Sequence, residues 1–599
     1  MAENLPYEIL ALIAIHVKRD SGFTCALVCK HWTEPFLNAY WNYLSVDKRI
    51  IKQICSKSNL NNVYLKNAQR VRKLHFEYLS IDDIDSFSEL QQVYQSIKRL
   101  EYFESYKNKQ IFEIIDWNLW KPLSHLKISF EYKTPDTLKD LFTKLSVLPC
   151  LTHFTLKSTL DSWDEKKILA VSWSHIESLH LHLSRLEYLD VDFMLASIPK
   201  DDMELIKKVT PAHTVTNIRY NDYIDAPRIF YFALKYPNLR SIEFGKDAKA
   251  KPRHSNDYDQ QQYLKDIRLL STLDQFFPCL KNVHTYPEAY NRWPFSIFCD
   301  TLQHFGVNTE CVKFHLYTSN RVSLNALSKC LKPIAESLRI SWQHIFFAED
   351  TESITDHFIL YPNLVELHMD THCQIEIDVI LNKCPVLRLL DIKNSRIRLS
   401  GQPQYVHNDS LHPLQKVEIK SAKTSTLILE YISFHCRQLK FMKLDQVWFN
   451  AYDMGENGQL LLDIGFSQLK TLILYNIRSG VDIVSHCVIE QMGNTNRNLS
   501  YPDYNEQPVR SNWYYICLDE SKQRKIALAW ELEKSDVEFA KKYCKDFVRR
   551  KNHDRKHKSM EHNYCNRAPK KLWKKDLQYG VFVVRSGSVE NYFLDSKRV

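Results

Sequence analysis

The feature that most constrains this chain is a short apolar pattern, L-x-x-L-x-L, that recurs along most of its length. Its copies are Val71-Leu74-Phe76, Ile97-Leu100-Tyr102, Leu123-Leu126-Ile128, Leu151-Phe154-Leu156, Ile176-Leu179-Leu181, Leu239-Ile242-Phe244, Leu364-Leu367-Met369, Leu387-Leu390-Ile392, Leu414-Val417-Ile419, Leu439-Met442-Leu444 and Leu469-Leu472-Leu474. The early copies follow one another about every 26 residues. A period that persists in this way predicts stacked structural units instead of one compact core.

Each copy of the pattern predicts a strand. Its last two apolar residues are one position apart, so both side chains point to the same side of an extended backbone. Segments 228–235, 378–383 and 427–434 lie between copies and have the apolar spacing of short helices. Several of these helices end at a proline-containing signal, because proline cannot continue a helix. These signals are Tyr236-Pro-Asn-Leu239, Phe277-Pro-Cys-Leu280, Tyr361-Pro-Asn-Leu364 and Cys384-Pro-Val-Leu387, with Cys436-Arg-Gln-Leu439 as a variant.

This order of helix, C/Y-P-x-L and strand resembles the cysteine-containing class of leucine-rich repeats, over residues 70 to 480 and more loosely between 185 and 340. The resemblance implies an α/β leucine-rich-repeat solenoid with parallel strands on a concave face and helices outside. We expect the strands to pair in chain order. The leucines then form the core, and the residues between them form a surface that usually binds a protein.

The residues between the core positions of the C-terminal repeats are therefore candidates for contact with a protein substrate. They are Glu366, His368, Asp370, Asp391, Lys393, Lys416, Glu418, Lys443 and Asp445, with Lys420 beside them. A solvated sheet face without a partner would show the same alternation of charge. Glu366, His368 and Asp370, with His372 nearby, also suggest a metal or acid–base site, but no further residue at ligand spacing accompanies them, and we expect none.

The first 45 residues differ from the repeats and predict three short amphipathic helices. Asn4 is placed to cap a helix that begins near Pro6. A second helix is predicted to align Cys25, Val28, Cys29 and Trp32, and a third, opened by Pro35, to align Leu37, Tyr40, Trp41 and Leu44. Three helices of this length cannot bury all of these apolar residues among themselves, and surplus apolar surface indicates a protein contact.

This segment resembles the F-box, with an LP-x-E-I-L opening, a V-C-K-x-W middle and an aromatic-Trp ending. The resemblance implies a substrate receptor of an SCF-type cullin–RING ubiquitin ligase, which binds the ligase adaptor and, through it, cullin. The implied adaptor-contacting or supporting residues are Leu5, Pro6, Ile9, Leu10, Leu27, Val28, Cys29 and Trp32. Segment 18–24 departs from the leucine-rich link that family members often carry there. An alternative is that the helices only cap the solenoid.

The domain boundaries follow from these changes in pattern: an F-box at 1–45, a helical linker or capping segment at 46–70, repeats at 71–480 and a C-terminal cap at 481–599. The cap contains a basic segment, 541–575, with 14 Lys or Arg against 3 Asp or Glu. That segment fits a solvated charge run, a nuclear-import signal, a nucleic-acid patch or a contact for an acidic partner. Its residues Cys544, His553, His557, His562 and Cys565 match no zinc-finger spacing. The apolar run 579–585 is expected to pack back onto the cap.

Composition narrows the function. The chain has only 11 glycines and no P-loop, G-x-S-x-G, kinase or metalloprotease motif, so we expect no enzyme and no cofactor. Its 15 cysteines lie mostly in apolar strings, as at Cys29, Cys150, Cys384 and Cys436, which favours buried thiols and an intracellular location in cytoplasm or nucleus. No apolar run reaches the roughly 20 residues of a membrane span. A leucine-rich scaffold outside any ligase and a nucleic-acid-binding protein remain the alternatives.

Overall fold

The computed structural model describes residues 5–55, 62–79, 84–104, 115–130, 134–158, 170–220, 225–244, 260–285, 295–316, 335–342, 353–401, 411–480, 482–492, 508–519, 526–547, 573–595 and 597–599. The chain forms two units, residues 1–307 and 308–599. The described part contains no helix that combines the length and the apolar character required to cross a bilayer.

Three short helices open the first unit: α1 at Tyr7–His16, α2 at Arg19–Ala26 and α3 at Lys30–Trp41. They pack around the buried side chains of Leu10, Ala14, Ala26 and Phe36. The predicted boundaries of the second and third helices were wrong. Extended backbone at Cys29 separates α2 from α3, Pro35 lies inside α3, and Leu44 belongs to a strand. Asn4, the predicted cap, lies outside the described residues.

Parallel strands follow in chain order through the first unit, as the repeat pattern predicted. Every neighbouring pair runs parallel, and the middle apolar residues of successive copies stand in register, as Leu74 does with Leu100 and Leu126. The strands are Tyr43–Val46, Lys73–Leu79, Arg99–Glu104, His125–Phe130, His153–Ser158, Tyr188–Val191, Asn217–Tyr220, Ser241–Phe244 and Asn282–Thr285.

Helices between these strands, and one after the last of them, cover one face of the sheet. They are Lys48–Ile54, Val63–Lys66, Ile84–Val93, Pro135–Leu145, Trp173–His182, Met203–Ile206, Ala226–Lys235, Gln260–Leu270 and Phe295–His304. Aromatic pairs join helix to strand: the ring centroids of Phe76 and Phe87 are 5.3 Å apart, and those of Tyr220 and Phe232 are 5.6 Å apart. The inward side chain of each strand is thereby buried, and the alternate residues form what we call the open face.

One predicted strand is a helix. Ile176 and Leu179 are buried within the helix Trp173–His182, and Leu181 is 80% exposed. The spacing of three between Ile176 and Leu179 suits a helical face as well as the repeat pattern, so sequence alone misassigned it. The strand of this repeat is Tyr188–Val191, where Leu189 pairs in register with Phe154.

The second unit repeats one local design. Its parallel strands are Thr309–Leu316, Ala335–Trp342, Glu366–Thr371, Leu389–Lys393, Lys416–Lys420, Phe441–Asp445 and Gln459–Tyr475, with helices Ile377–Lys383 and Thr426–His435. The residue after each of the last four strands has a left-handed backbone: Asn394, Ser421, Gln446 and Asn476, with φ from 50° to 56°. This turn leads the chain into the short strands Arg396–Arg398, Lys423–Thr424, Trp448–Phe449 and Arg478–Ser479. Together with Gln374–Glu376, they form a second parallel sheet. The antiparallel strand Asp482–Ile483 ends it.

The end of the chain supplies a further strand to the main sheet. Val581–Leu594 pairs in parallel with Gln459–Tyr475, and its first half also pairs with His486–Gln491. Asp595 then repeats the left-handed residue, with φ of 43°, and its carboxylate accepts a hydrogen bond from the Asn476 N–H at 2.8 Å. The apolar run at 579–585 therefore packs back onto the cap, as predicted.

A helix and three antiparallel-paired strands complete the C-terminal cap. These strands are His486–Gln491, Arg510–Asp519 and Ile526–Glu531, and they share a core with the helix Lys534–Lys545. Burial in this core raises the pKa of the Cys544 thiol to about 11. The other candidate zinc ligands and most of the basic segment 541–575 lie outside the described residues. Cys384 and Cys436 are buried as expected, Cys29 is partly buried, and Cys150 is exposed, contrary to expectation.

The strand Val581–Leu594 generates the first prediction. Leu594 is fully buried although it lies five residues from the chain end. We expect Leu594→Ala to lower the free energy of unfolding by about 2 to 5 kcal/mol, because it leaves a cavity in a packed core. The exposed Glu590 on the same strand gives the control Glu590→Ala, which should change stability little. Urea unfolding followed by circular dichroism measures both, and equal midpoints would show that the strand does not contribute to the core.

Candidate functional site

The residues proposed from sequence for adaptor contact differ in how far they are buried in the structure. Leu10 is fully buried, and the partly buried Trp32 stacks on Phe36 with ring centroids 5.1 Å apart, so both contribute to the packing of the helices. Leu5 and Cys29 are partly buried. The exposed members are Pro6, Ile9, Leu27 and Val28, with Leu27 71% and Val28 61% exposed. Any contact with a partner therefore depends on these exposed residues.

Further apolar side chains are exposed on the same helices, and the sequence-based set omitted them. They are Tyr7, Leu12, Ile13, Ile15 and Phe23. Helix α1 is apolar around nearly its whole circumference, and its buried residues, Leu10 and Ala14, lie in the core shared with α3. That all-round apolar composition was the signal that could have identified these residues.

Polar contacts hold the helices against the first strands of the sheet. The guanidinium of Arg70 donates to both carboxylate oxygens of Glu34, at 2.6 and 2.7 Å, and also to Asn38. The hydrogen bond from Arg70 holds the pKa of Glu34 below its ordinary value. Arg19 lies over the rings of Tyr40 and Tyr43, at 5.1 and 5.9 Å. The exposed apolar side chains therefore lie on helices that are anchored to the repeats.

The candidate substrate residues lie on the open face of the second unit, and strand register brings them into rows. His368, Asp391, Glu418 and Lys443 occupy one row on successive strands. Asp370, Lys393, Lys420 and Asp445 occupy the next row toward the strand ends. Glu366 and Lys416 stand in the first row with Leu389 and Phe441.

Most of these charges are paired with one another. Asp391 accepts from His368 Nδ1 at 3.1 Å and from Lys393 Nζ at 2.9 Å. Burial alone would raise the pKa of Asp391, but these two partners hold it below its ordinary value. Lys416 pairs with Glu418 at 2.8 Å and Lys443 with Asp445 at 3.4 Å. The face is a network of balanced charge, which favours specificity over attraction by bulk charge.

No metal centre is evident on this face. Within the described part of the chain, no group of three or more His, Cys, Asp and Glu side chains is arranged to hold a metal ion. His368 instead orients one ring nitrogen toward Asp391. His368 contacts Glu366 at 3.7 Å as well as Asp391 at 3.1 Å, so these side chains are part of the charge network of the face.

The first unit has a comparable open face that the sequence-based set omitted. The rings of His125 and His153 stack with centroids 4.0 Å apart, and His153 stacks on Tyr188 at 5.6 Å. Arg219 and His284 both contact Glu243, at 2.6 and 3.2 Å. The less regular spacing of the repeats between 185 and 340 hid Arg219, Glu243 and His284. His125 and His153 lie in the regular early repeats, and their stacking follows from the register of neighbouring strands. When the strands are aligned, the stacked residues His125, His153 and Tyr188 each directly precede the middle apolar residue of their strand.

The sequence and the structure were compared with known proteins. No protein-family model matches the sequence, and no curated protein matches it. Among solved structures, the chain is similar to one in the crystal structure of the Rad7 and Elc1 complex from yeast, with 11% identity and a TM-score of 0.30. That match covers 79% of this chain and 88% of the other. A likeness at this level carries no conclusion about fold or partner.

The charge network generates a prediction about pH. Because the folded state holds the pKa of Asp391 below its ordinary value, this carboxylate stabilises the fold above about pH 4, and the contribution is lost as the pH falls through the folded-state pKa. We expect Asp391→Asn to cost about 1 to 3 kcal/mol at pH 7, and the difference from wild type to shrink in acid. Urea unfolding at several pH values measures this, with the exposed Asp201→Asn as control. A difference that stays constant down to pH 2 would contradict the linkage.

The same network determines how the face should be tested for substrate binding. Replacing Lys393, Lys416 and Lys443 by Glu would place a carboxylate beside each existing one, so Gln is the better substitution. We expect the triple Gln variant to weaken capture of a protein partner about tenfold while lowering stability by less than roughly 1 kcal/mol per site.

Quantitative affinity capture from cell extract, with unfolding midpoints measured in parallel, tests this expectation. A matched triple Gln variant of the exposed Lys121, Lys139 and Lys144 in the first unit controls for the change in net charge. Identical partners in identical amounts for both variants would remove this face from substrate binding.

Proposed function

We propose that this chain is a non-catalytic substrate receptor of an SCF-type cullin–RING ubiquitin ligase. The observation that carries the proposal is the set of large apolar side chains left exposed on α1, α2 and the turn after α2, at Ile9, Leu12, Phe23, Leu27 and Val28. So many exposed apolar residues within a short segment favour a protein partner that covers them.

The identity of that partner rests on the resemblance of the first 45 residues to the F-box. The resemblance implies the small ligase adaptor, which in turn binds cullin. In such a ligase, other subunits and the conjugating enzyme transfer ubiquitin. A receptor contributes by holding substrate at high effective concentration, so this chain needs neither catalytic residues nor a cofactor of its own.

The substrate half of the proposal rests on the open face of the second unit. Its rows of paired Lys, His, Asp and Glu side chains lie on a rigid parallel sheet, and such mixed rows can exchange internal ion pairs for pairs with a protein surface. We place the substrate there, at the face that includes Asp391, Lys416 and Lys443.

A scaffold outside any ligase is the second candidate, and one observation favours it. The contact of Glu34 with Arg70 and the pairing of Tyr43–Val46 with Lys73–Leu79 make α3 an integral cover for the first strands, as an end cap requires. A cap, however, needs only the buried side of the helices. It does not account for Leu27 and Val28, which face solvent.

The adaptor half is tested with the double variant Leu27→Asp/Val28→Asp. Both side chains are exposed, so charges there should leave the fold intact but enter an apolar contact, at a cost of several kcal/mol in binding. We expect co-purification with the adaptor to be lost. Leu10 is unsuitable for this test, because a charge at a fully buried site would disrupt the helices themselves.

Leu181→Asp provides the matched control. Leu181 is 80% exposed on a helix of the first unit, so the substitution makes the same chemical change away from the N-terminal helices. The control should bind the adaptor as wild type does. Full retention of adaptor by the Leu27→Asp/Val28→Asp variant, with an unchanged circular dichroism spectrum, would refute the assignment.

A further inference from the structure

The second, smaller sheet of the C-terminal unit carries an outward row of cations around one tryptophan. Register aligns Arg396, Lys423, Trp448 and Arg478 on four successive strands. The residues that follow them, Ile397, Thr424, Phe449 and Ser479, are all buried, so the row faces outward. We call these four residues the basic row.

The cations of the basic row are available for a partner. Arg396 and Lys423 are exposed, and within the described part of the chain neither side chain forms an ion pair or hydrogen bond. The guanidinium carbon of Arg478 lies 5.5 Å from the ring centroid of Trp448, and its Nε is buried without a hydrogen-bond partner. These groups contrast with the open face, where most charges are already paired.

Nearby carboxylates do not neutralise the row. Asp370 accepts a hydrogen bond from Asn394 at 2.7 Å, and Asp445 pairs with Lys443 at 3.4 Å. Glu376 is held by Arg398 at 2.5 Å. The Asn394 amide is neutral and leaves the charge of Asp370 in place, but the exposed cation Lys420, which precedes the left-handed turn that leads to Lys423, offsets it. With the three cations of the basic row, the net charge of these described side chains is positive.

We propose that the basic row binds an extended acidic segment, rich in Asp and Glu, of a protein partner. Strands about 4.8 Å apart spread the cations along the row instead of converging them on one point. Arg396 and Arg478 are three strands apart, about 14 Å, a distance that an extended segment covers in about four residues. A single phosphate instead needs several donors around one centre. Trp448 adds an apolar surface between the cations for the aliphatic parts of the partner. The proposal does not depend on whether the N-terminal helices bind an adaptor.

Fluorescence anisotropy with the full chain tests the proposal, using a labelled ten-residue peptide of alternating Glu and Ser at physiological salt. We expect saturable binding that Arg396→Glu/Lys423→Glu weakens at least about tenfold and Trp448→Leu weakens about threefold. The matched control is Lys383→Glu/Lys440→Glu, which changes net charge equally at two exposed lysines near the opposite ends of the strands. It should bind as wild type does.

Other ligands, measured in the same way, distinguish between classes of partner. A peptide with Gln in place of every Glu should not bind. The Gln-Ser peptide carrying one phosphoserine should bind more weakly than the Glu-Ser peptide. No binding of the Glu-Ser peptide, or equal losses in the two double variants, would overturn the site. The acidic protein segment would be the wrong occupant if a single-stranded RNA ten-mer or the monophosphorylated peptide bound more tightly than the Glu-Ser peptide. That binding would have to show the same dependence on Arg396 and Lys423.

Discussion

The structure depends on the in-register stacking of apolar side chains along parallel strands. Leu367, Leu390, Val417, Met442 and Leu472 occupy one row on five successive strands, and each is essentially buried. A parallel strand cannot bury this row alone, so every repeat depends on its neighbours. Because register fixes the inward residues, it also fixes which residues stand beside one another on the open face. The contact of His368 with Asp391 on the neighbouring strand is a consequence of that stacking.

The dependence of each repeat on its neighbours also explains the structure at the two ends of the repeats. An open sheet edge presents unpaired backbone groups that invite further pairing. At the start, Tyr43–Val46 and the helices α1 to α3 precede the first repeat strand. In the second unit, Val581–Leu594 pairs with Gln459–Tyr475, and Asp595 reproduces the turn geometry of the repeats. Both ends are thus covered by secondary structure from outside the periodic region. The N-terminal helices retain exposed apolar side chains that covering the sheet end does not require.

Much of the repeat core could be predicted from the sequence, because the L-x-x-L-x-L pattern directly records burial on a strand. The same reasoning misassigned Ile176 and Leu179, since a spacing of three also fits a helix. It did not find the short second sheet, whose strands of two or three residues are too brief to show a period. Nor did it find the pairing of Val581–Leu594 with Gln459–Tyr475, which joins residues more than a hundred positions apart. Of the candidate site, sequence identified the open-face residues but not their internal ion pairs, because these depend on side-chain conformation. Lys416 with Glu418 and Lys443 with Asp445 pair within one strand, and His368 pairs with Asp391 on the next strand.

The central claim is that the N-terminal helices bind a ligase adaptor while the sheets remain free for substrate. Hydrogen–deuterium exchange of the full chain, with and without purified adaptor, tests it most directly. We predict slower exchange only in peptides from residues 5–32. Exchange should be unchanged in the strands Leu389–Lys393, Lys416–Lys420 and Phe441–Asp445. Unchanged exchange throughout residues 5–32 at saturating adaptor, or protection only in the strands, would contradict it.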